Sequence, residues 1–450
     1  MKYRNVKRSE IGETMRFDGS YHNADGNIYY RAVSHHSSRN LADYCVRIFT
    51  SGRNKRVYTD SHHGYPFLSN ADASASDPFL SCKYSSRKYG FDLEAVLTPG
   101  MILTGRVGAI GQTSFVPPHW VKEKAMGSDN IIRIVVKESE CNGFLYAYLA
   151  SKMGKLILLK HSTGGVQPFI TDAMVGTIPV PDFSKNFQEK IDGMIQESAR
   201  LREEADNVLK KAISVFNDNL DRIESMQKTS RVSIQAILTS QNHRFEANYY
   251  GSTGAKYDTL IRENCVYKPL SEFFYDISRP DIFKRKYVSK EAGLMFFGSS
   301  ELFMATPQSS KFVSKKTPEL ERLILKEGWV LLPRSGTIGD VAYATSQHAQ
   351  KLASEDVIRL KPDNILSGAY AYAFLSSIAG KALLQRAIFG SVIQHIEPPM
   401  LKIIPVPLFE DSYDDIANKV ITASKMLGRA GQLELDAISL VETEIEKWSK

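Results

Sequence analysis

Cutting DNA with a metal ion commonly takes an Asp and a nearby Asp/Glu-x-Lys, which set two carboxylates and a lysine around one metal and a water. No Asp/Glu-x-Lys tripeptide occurs in these 450 residues. Methyl transfer to a base would need a cofactor fold and an Asn-Pro-Pro-Tyr or Asp-Pro-Pro-Tyr clamp; Glu397-Pro398-Pro399-Met400 is not equivalent. His35-His36 and His62-His63 are adjacent pairs, whose side chains diverge in a strand and lie about 100° apart in a helix, so they suit a surface or DNA-proximal loop better than a metal. Gly105-Arg106-Val107-Gly108-Ala109-Ile110-Gly111 lacks the Lys-Ser/Thr of a phosphate-cradling loop and reads as a β-turn between strands. Cys45, Cys82, Cys141 and Cys265 form no C-x-x-C pair, which suggests neither a zinc site nor a disulfide framework. The sequence therefore assigns no catalytic residue and no metal ligand, and the chain is expected not to be an enzyme.

What remains is chemistry for gripping a polyanion. There are 57 Lys+Arg against 50 Asp+Glu, a formal charge of +7, which mildly favours nucleic acid as a partner. Basic residues with aromatic neighbours gather at Arg53, Lys55, Arg56 and Tyr58, at Lys83, Tyr84, Arg87, Lys88 and Tyr89, and at Phe283, Lys284, Arg285, Lys286 and Tyr287. Such groups hold phosphates and reach base edges, although a solvated loop has the same composition. Lys311, Lys315 and Lys316 form a further candidate as point-charge phosphate contacts.

The elements that must position these residues are written twice. Arg16-Phe17-Asp18 and Tyr21 return as Arg244-Phe245-Glu246 and Tyr249, 228 residues later. Arg106, Gly108, Ile110 and Gly111 coincide with Arg334, Gly336, Ile338 and Gly339 at the same separation. From Ser128-Asp129 and Ser354-Glu355 the separation becomes 226, and it holds through Tyr146 and Tyr372, Gly154-Lys155 and Gly380-Lys381, Val166 and Val392, and Ile178-Pro179-Val180-Pro181 and Ile404-Pro405-Val406-Pro407. Between these anchors, 30–95 and 258–325 barely resemble each other, and the basic clusters fall there. The scaffold repeats while one surface diverges.

Each copy ends in a long helical pattern. Ile191, Ile195, Ser198, Leu201, Ala205, Val208, Ala212 and Val215 keep a three- or four-residue step, as do Ile416, Val420, Ala423, Leu427, Ala430 and Leu433, extended by Val441, Ile445 and Trp448. About 40 residues at about 1.5 Å each would span about 60 Å, a ruler between two globular domains. Short β-like runs such as Ile131–Val136 alternate with helical stretches, so the fold class is α/β of the mixed α+β kind. The domains are expected at 1–185, 186–226 (helix), 227–410 and 411–450 (helix). No run of about 18 apolar residues occurs, so no membrane span is expected and the chain is read as cytoplasmic.

Taken together, the Arg-Phe-Asp/Glu-x-x-Tyr openings, Arg-x-Gly-x-Ile-Gly, Ser-Asp/Glu, the Tyr-rich segment before Gly-Lys, and Ile-Pro-Val-Pro before a long helix resemble the specificity subunits of type I restriction-modification systems, across nearly the whole chain. The resemblance implies two target recognition domains, each reading half of a bipartite asymmetric site on double-stranded DNA, joined by two spacer helices in an antiparallel coiled coil with pseudo-twofold symmetry. It implies two modification subunits that carry S-adenosylmethionine and methylate adenine, and two restriction subunits that use ATP and Mg, with no cofactor in this chain. It also brings the loop before Ile-Pro-x-Pro near DNA: Gly164, Gly165 and Gln167 in the first copy, and Gly390, Ser391 and Gln394 in the second. His22 departs from the pattern, standing where the second copy has Tyr250. Two rivals are weighed against this reading: an enzyme, which the missing motifs disfavour, and a protein-binding scaffold of a DNA-processing complex, which would lack salt-sensitive DNA binding.

Overall fold

The structure, a computed structural model, describes residues 5–8, 11, 15–53, 55–164, 166–224, 233–239, 244–336, 338–390 and 394–448. The chain divides into two compact units, Met1–Glu203 with Arg429–Lys450, and Glu204–Gly428. Each is a mixed α/β body.

In the first unit the β-branched run Ile131–Val136 favours a strand, and Ile131, Ile132 and Ile134 are fully buried. It lies second in an antiparallel sheet ordered Cys45–Phe49, Ile131–Val136, Ile102–Gly105, Thr113–Phe115. The second unit repeats that order with Phe274–Ser278, Val357–Pro362, Val330–Pro333 and Ala342–Tyr343. Even the irregularity recurs, between Cys45 and Arg47 and between Phe274 and Asp276.

A smaller sheet follows in each unit. In the first it runs Tyr58–Thr59, Lys83–Ser86, Gly64–Leu68, Met126–Gly127, with the last pair parallel. In the second it runs Phe312–Ser314, Gly293–Phe297, Leu352–Ala353, again with a parallel last pair, and Tyr287 bridges Val313 where the first unit has its extra strand. The divergent segments thus share one topology at a separation of 229, from Cys45 and Gly64 to Phe274 and Gly293.

Helices cover the large sheet. Asn142–Ala150 and Lys152–His161 meet at Ser151, whose hydroxyl accepts the Gly154 N–H at 3.0 Å; Ile365–Ser376 and Ile378–Arg386 meet at Ser377, which accepts the Gly380 N–H at 3.1 Å. These caps start the second helix of each pair. The glycines repeat because the backbones touch: a Cβ on Gly154 would lie 2.1 Å from the Tyr148 carbonyl oxygen, and one on Gly380 would lie 2.1 Å from that of Phe374.

The long helices are Lys185–Glu224 and Tyr413–Trp448. In the first unit they run antiparallel, since Phe183, just before one begins, lies 5.0 Å from Trp448 at the end of the other, while Arg202 pairs with Glu434. Ile191, Ile195, Ala437, Val441 and Ile445 are buried in that unit's core, and Ala212, Phe216, Ile416, Ala417 and Val420 in the second unit's. Ser198, the polar member of the stripe, is buried and donates to the Ala430 carbonyl at 2.9 Å. Among the described residues no helix is long and apolar enough to cross a membrane.

Candidate nucleic-acid interface

In each unit three loops meet at one end of the large sheet. The turn after Gly105 connects antiparallel strands, and Arg106 is pinned there: its N–H donates to the Asn130 carbonyl at 2.8 Å and its carbonyl accepts the Ile170 N–H at 2.9 Å. Arg334 makes the same two bonds, to Asp356 at 2.8 Å and from Ile396 at 3.0 Å. The third loop is a small hairpin, closed by Thr163 on Phe169 in the first unit and by Phe389 on His395 in the second. Gly164 and Gln167 stand exposed on one, Gly390 and Gln394 on the other; Gly165 and Ser391 lie outside the described residues. Gly390 and Gln394 also line a cavity of about 700 Å³ with Arg244, Tyr249 and Gln385.

The Ser-Asp/Glu turn collects arginines from the divergent segment. Arg56 pairs with Asp129, and Arg53 lies 3.6 Å from the same carboxylate. In the second unit Arg285 pairs with Glu355 at 2.6 Å. Burial, the largest single influence, would raise the Glu355 carboxyl, but the Arg285 hydrogen bond, a backbone hydrogen bond and the charges of Arg285 and Arg359 together hold the group below its usual range. Both arginines lie over a phenylalanine, Arg56 5.6 Å from the Phe67 ring centre and Arg285 5.3 Å from that of Phe296. These guanidinia are already engaged, so reaching a phosphate means sharing or leaving a carboxylate.

The other basic candidates are exposed, and several gather on the smaller sheet. Lys83 lies over Tyr58 at 4.8 Å, Arg87 over Tyr65 at 5.1 Å, and Lys88 over Tyr89 at 5.0 Å, so cations and aromatic rings share this surface. Lys55 is exposed and has no side-chain partner among the described residues. In the second unit Lys284 and Lys286 flank Arg285, and the Lys286 carbonyl accepts the Ser314 N–H at 3.0 Å, which fixes this segment beside the strand. Lys311 borders that strand, Lys315 donates to the Glu291 carbonyl at 3.4 Å, and Lys316 follows in the turn.

Beneath each Ser-Asp/Glu turn lies a fully buried arginine, Arg133 in the first copy and Arg359 in the second, 226 residues apart. Arg133 donates to the carbonyls of Ile131 at 3.0 Å, Ala95 at 3.3 Å and Gly127. Arg359 donates to those of Ala353 at 2.7 Å, Ser354 at 2.9 Å and Val357. Burial pushes both guanidinia down to about 10, which leaves them charged at neutral pH. They brace the turn that carries Asp129 or Glu355.

The repeated opening motif clamps a helix end. Arg16 binds Asp18 and donates to the carbonyls of His161 at 3.1 Å and Ser162 at 2.9 Å; Arg244 binds Glu246 and donates to those of Ala387 at 3.4 Å and Ile388. His22 and Tyr250 prove interchangeable: the His22 Nε2 lies 2.8 Å from the Arg16 carbonyl oxygen, and the Tyr250 hydroxyl donates to that of Arg244 at 2.8 Å. Of the paired histidines, His36 stacks on Trp448 at 4.4 Å and His63 bonds Asp60 at 2.9 Å, while Glu397 precedes the helix Pro398–Lys402 and pairs with arginines. Among the described residues no group of His, Cys, Asp or Glu is placed to hold a metal.

No family model matches the chain, and no curated protein does. Among solved structures it is similar to the S subunit of a type I restriction-modification system from M. genitalium, at 14% identity over 92% of this chain and 94% of that chain, with a TM-score of 0.29. The HsdS subunit from Thermoanaerobacter tengcongensis is also similar, at 14% identity over 91% and 95%, with a TM-score of 0.28. A chain from a structure of type I R-M complex assembly and conformational transition gives 14% over 91% and 96%, with a TM-score of 0.29. Likeness at this level assigns no residue and no partner.

Proposed function

We propose that the chain is a non-catalytic, sequence-reading DNA-binding subunit of a type I restriction-modification assembly, in which each copy of the repeat reads one half of a bipartite asymmetric site. The observation that supports this most is one scaffold carrying two unlike surfaces: Gly64–Leu68 and Gly293–Phe297 occupy equivalent places in equivalent sheets, yet beyond the glycine and Phe67/Phe296 their residues differ at the same step. Two different half-sites ask for that arrangement, because phosphate contacts depend on where a side chain stands and base contacts on what it is.

In this reading Arg53, Lys55, Lys83, Arg87 and Lys88 serve the first half-site, and Lys284, Lys286, Lys311, Lys315 and Lys316 the second. The hairpins bearing Gly164 and Gln167, and Gly390 and Gln394, approach the groove, while Arg56 and Arg285 set the loops. Methylation of adenine with S-adenosylmethionine belongs to two modification subunits, and ATP- and Mg-dependent translocation and cleavage to two restriction subunits, all in the cytoplasm. The purified full chain should bind duplexes of defined sequence with affinity that falls steeply as salt rises, and should by itself neither methylate nor cut. Salt-insensitive or sequence-blind binding would overturn DNA reading, and methyl transfer by the isolated chain would overturn the non-catalytic assignment.

A further inference from the structure

The equivalent loops of the two copies differ in charge. Among the described residues the half-buried Arg106 guanidinium has no hydrogen bond, ion pair or ring contact, although its backbone is fixed from both sides. Arg334, held by the same backbone bonds, donates to Glu397 at 2.7 Å and lies 3.6 Å from Asp356, and Glu397 is also 3.1 Å from Arg279. Where the second copy has Glu397, Asp356 and Arg279, the first has Thr171, Asn130 and Thr50. The first cluster therefore sets Arg53, Arg56 and Arg106 against Asp129, a formal +2, while the second sets Arg279, Arg285 and Arg334 against Glu355, Asp356 and Glu397, a formal zero. Exposed Ile282 even stands where the first copy has Arg53.

An unpaired guanidinium on a fixed backbone is prepared for an anion: its planar fork matches two phosphate oxygens and it is weakly hydrated, so little is lost when it binds. A guanidinium already shared between two carboxylates offers no such site. We propose that Arg106 is a DNA-phosphate contact of the first copy with no counterpart in the second, so that the salt-sensitive grip at these loops is one-sided. This inference rests on the DNA-reading function proposed above.

The test uses the full chain and a labelled duplex recovered by selection from a random-sequence pool, with anisotropy titrations at several NaCl concentrations. Arg106→Ala should weaken binding several-fold and lower the slope of log K against log salt by about 0.9, the share of one phosphate contact. Arg106→Lys should restore most of that slope. The charge-neutral pair Arg334→Gln with Glu397→Gln should leave it unchanged. All variants should melt with the wild type, a control that separates lost contact from lost fold. A wild type that binds with steep salt dependence while Arg106→Ala keeps its slope and affinity would overturn this inference alone. Absence of salt-dependent binding in the wild type would overturn the DNA reading, and this inference with it.

Discussion

Replacing Arg359 by Met removes a buried charge and the donors that brace the Ser-Glu turn, and two opposing magnitudes decide the outcome. The guanidinium serves the carbonyls of Ala353, Ser354 and Val357, and hydrogen bonds from a charged donor are worth roughly 1.5–3 kcal/mol each, about 6 in all. Against that, burial pushes this arginine from 12.5 down to about 10, a desolvation of about 3 kcal/mol that methionine avoids. The bonds win, and Arg359→Met should destabilise the second unit by about 3 kcal/mol. Urea unfolding followed by fluorescence of buried Trp329 should show the midpoint falling by about 1 M, taking a slope of about 3 kcal/mol per M. Amide exchange at Asp356 and Val357 should accelerate, because the turn loses its brace. A midpoint close to that of the wild type would refute the reasoning, since it would mean that the buried charge is as costly as its bonds are favourable.

Three further outcomes follow from the same geometry. In His348, Nδ1 accepts the Thr345 N–H at 3.1 Å and Nε2 donates to the Leu302 carbonyl at 3.0 Å, and burial pushes the ring down to about 4. The unfolded chain, with an ordinary histidine near 6.5, then binds more protons, so stability should fall as pH drops from about 6.5 towards 4, and His348→Gln should flatten that profile in urea titrations. Gly154→Ala and Gly380→Ala force a Cβ to 2.1 Å from a carbonyl oxygen; each should cost about 2 kcal/mol or more in thermal or urea unfolding, and a neutral result would deny the close approach. Lys284→Ala and Lys286→Ala should each lower the salt slope of DNA binding by about one, and an unchanged slope would return both to ordinary solvated surface.

Much of this arrangement was legible in the sequence because it was written twice. The register from Arg16 and Arg244 to Ile178 and Ile404 reappears as the same helix clamp, the same strand order and the same short strands, Arg39–Asn40 on Pro179–Val180 and Tyr267–Pro269 on Pro405–Pro407. The divergent segments hid their kinship because pairing of backbone, not side-chain identity, sets their topology. In the long helices the apolar step was plain but its phase was not: Val208 and Val215 are half-buried, while Phe216 and Leu220 take the core. The basic clusters were visible from composition as candidate DNA contacts, but the partners of Arg56 and Arg285 lie 73 and 70 residues away, beyond what local pattern can reveal. Arg106 looked like one residue of a turn, and only the carboxylates around Arg334 make its isolation visible.

The central claim is that each copy reads its own half of one DNA site. Duplexes bound by the full chain should be selected from a random pool, and the selection repeated after residues 1–185 are replaced by the equivalent domain of a relative. The account predicts two specified blocks separated by an unspecified spacer, of which the replacement changes one and leaves the other intact. A single continuous block, or a replacement that rewrites both halves, would contradict it.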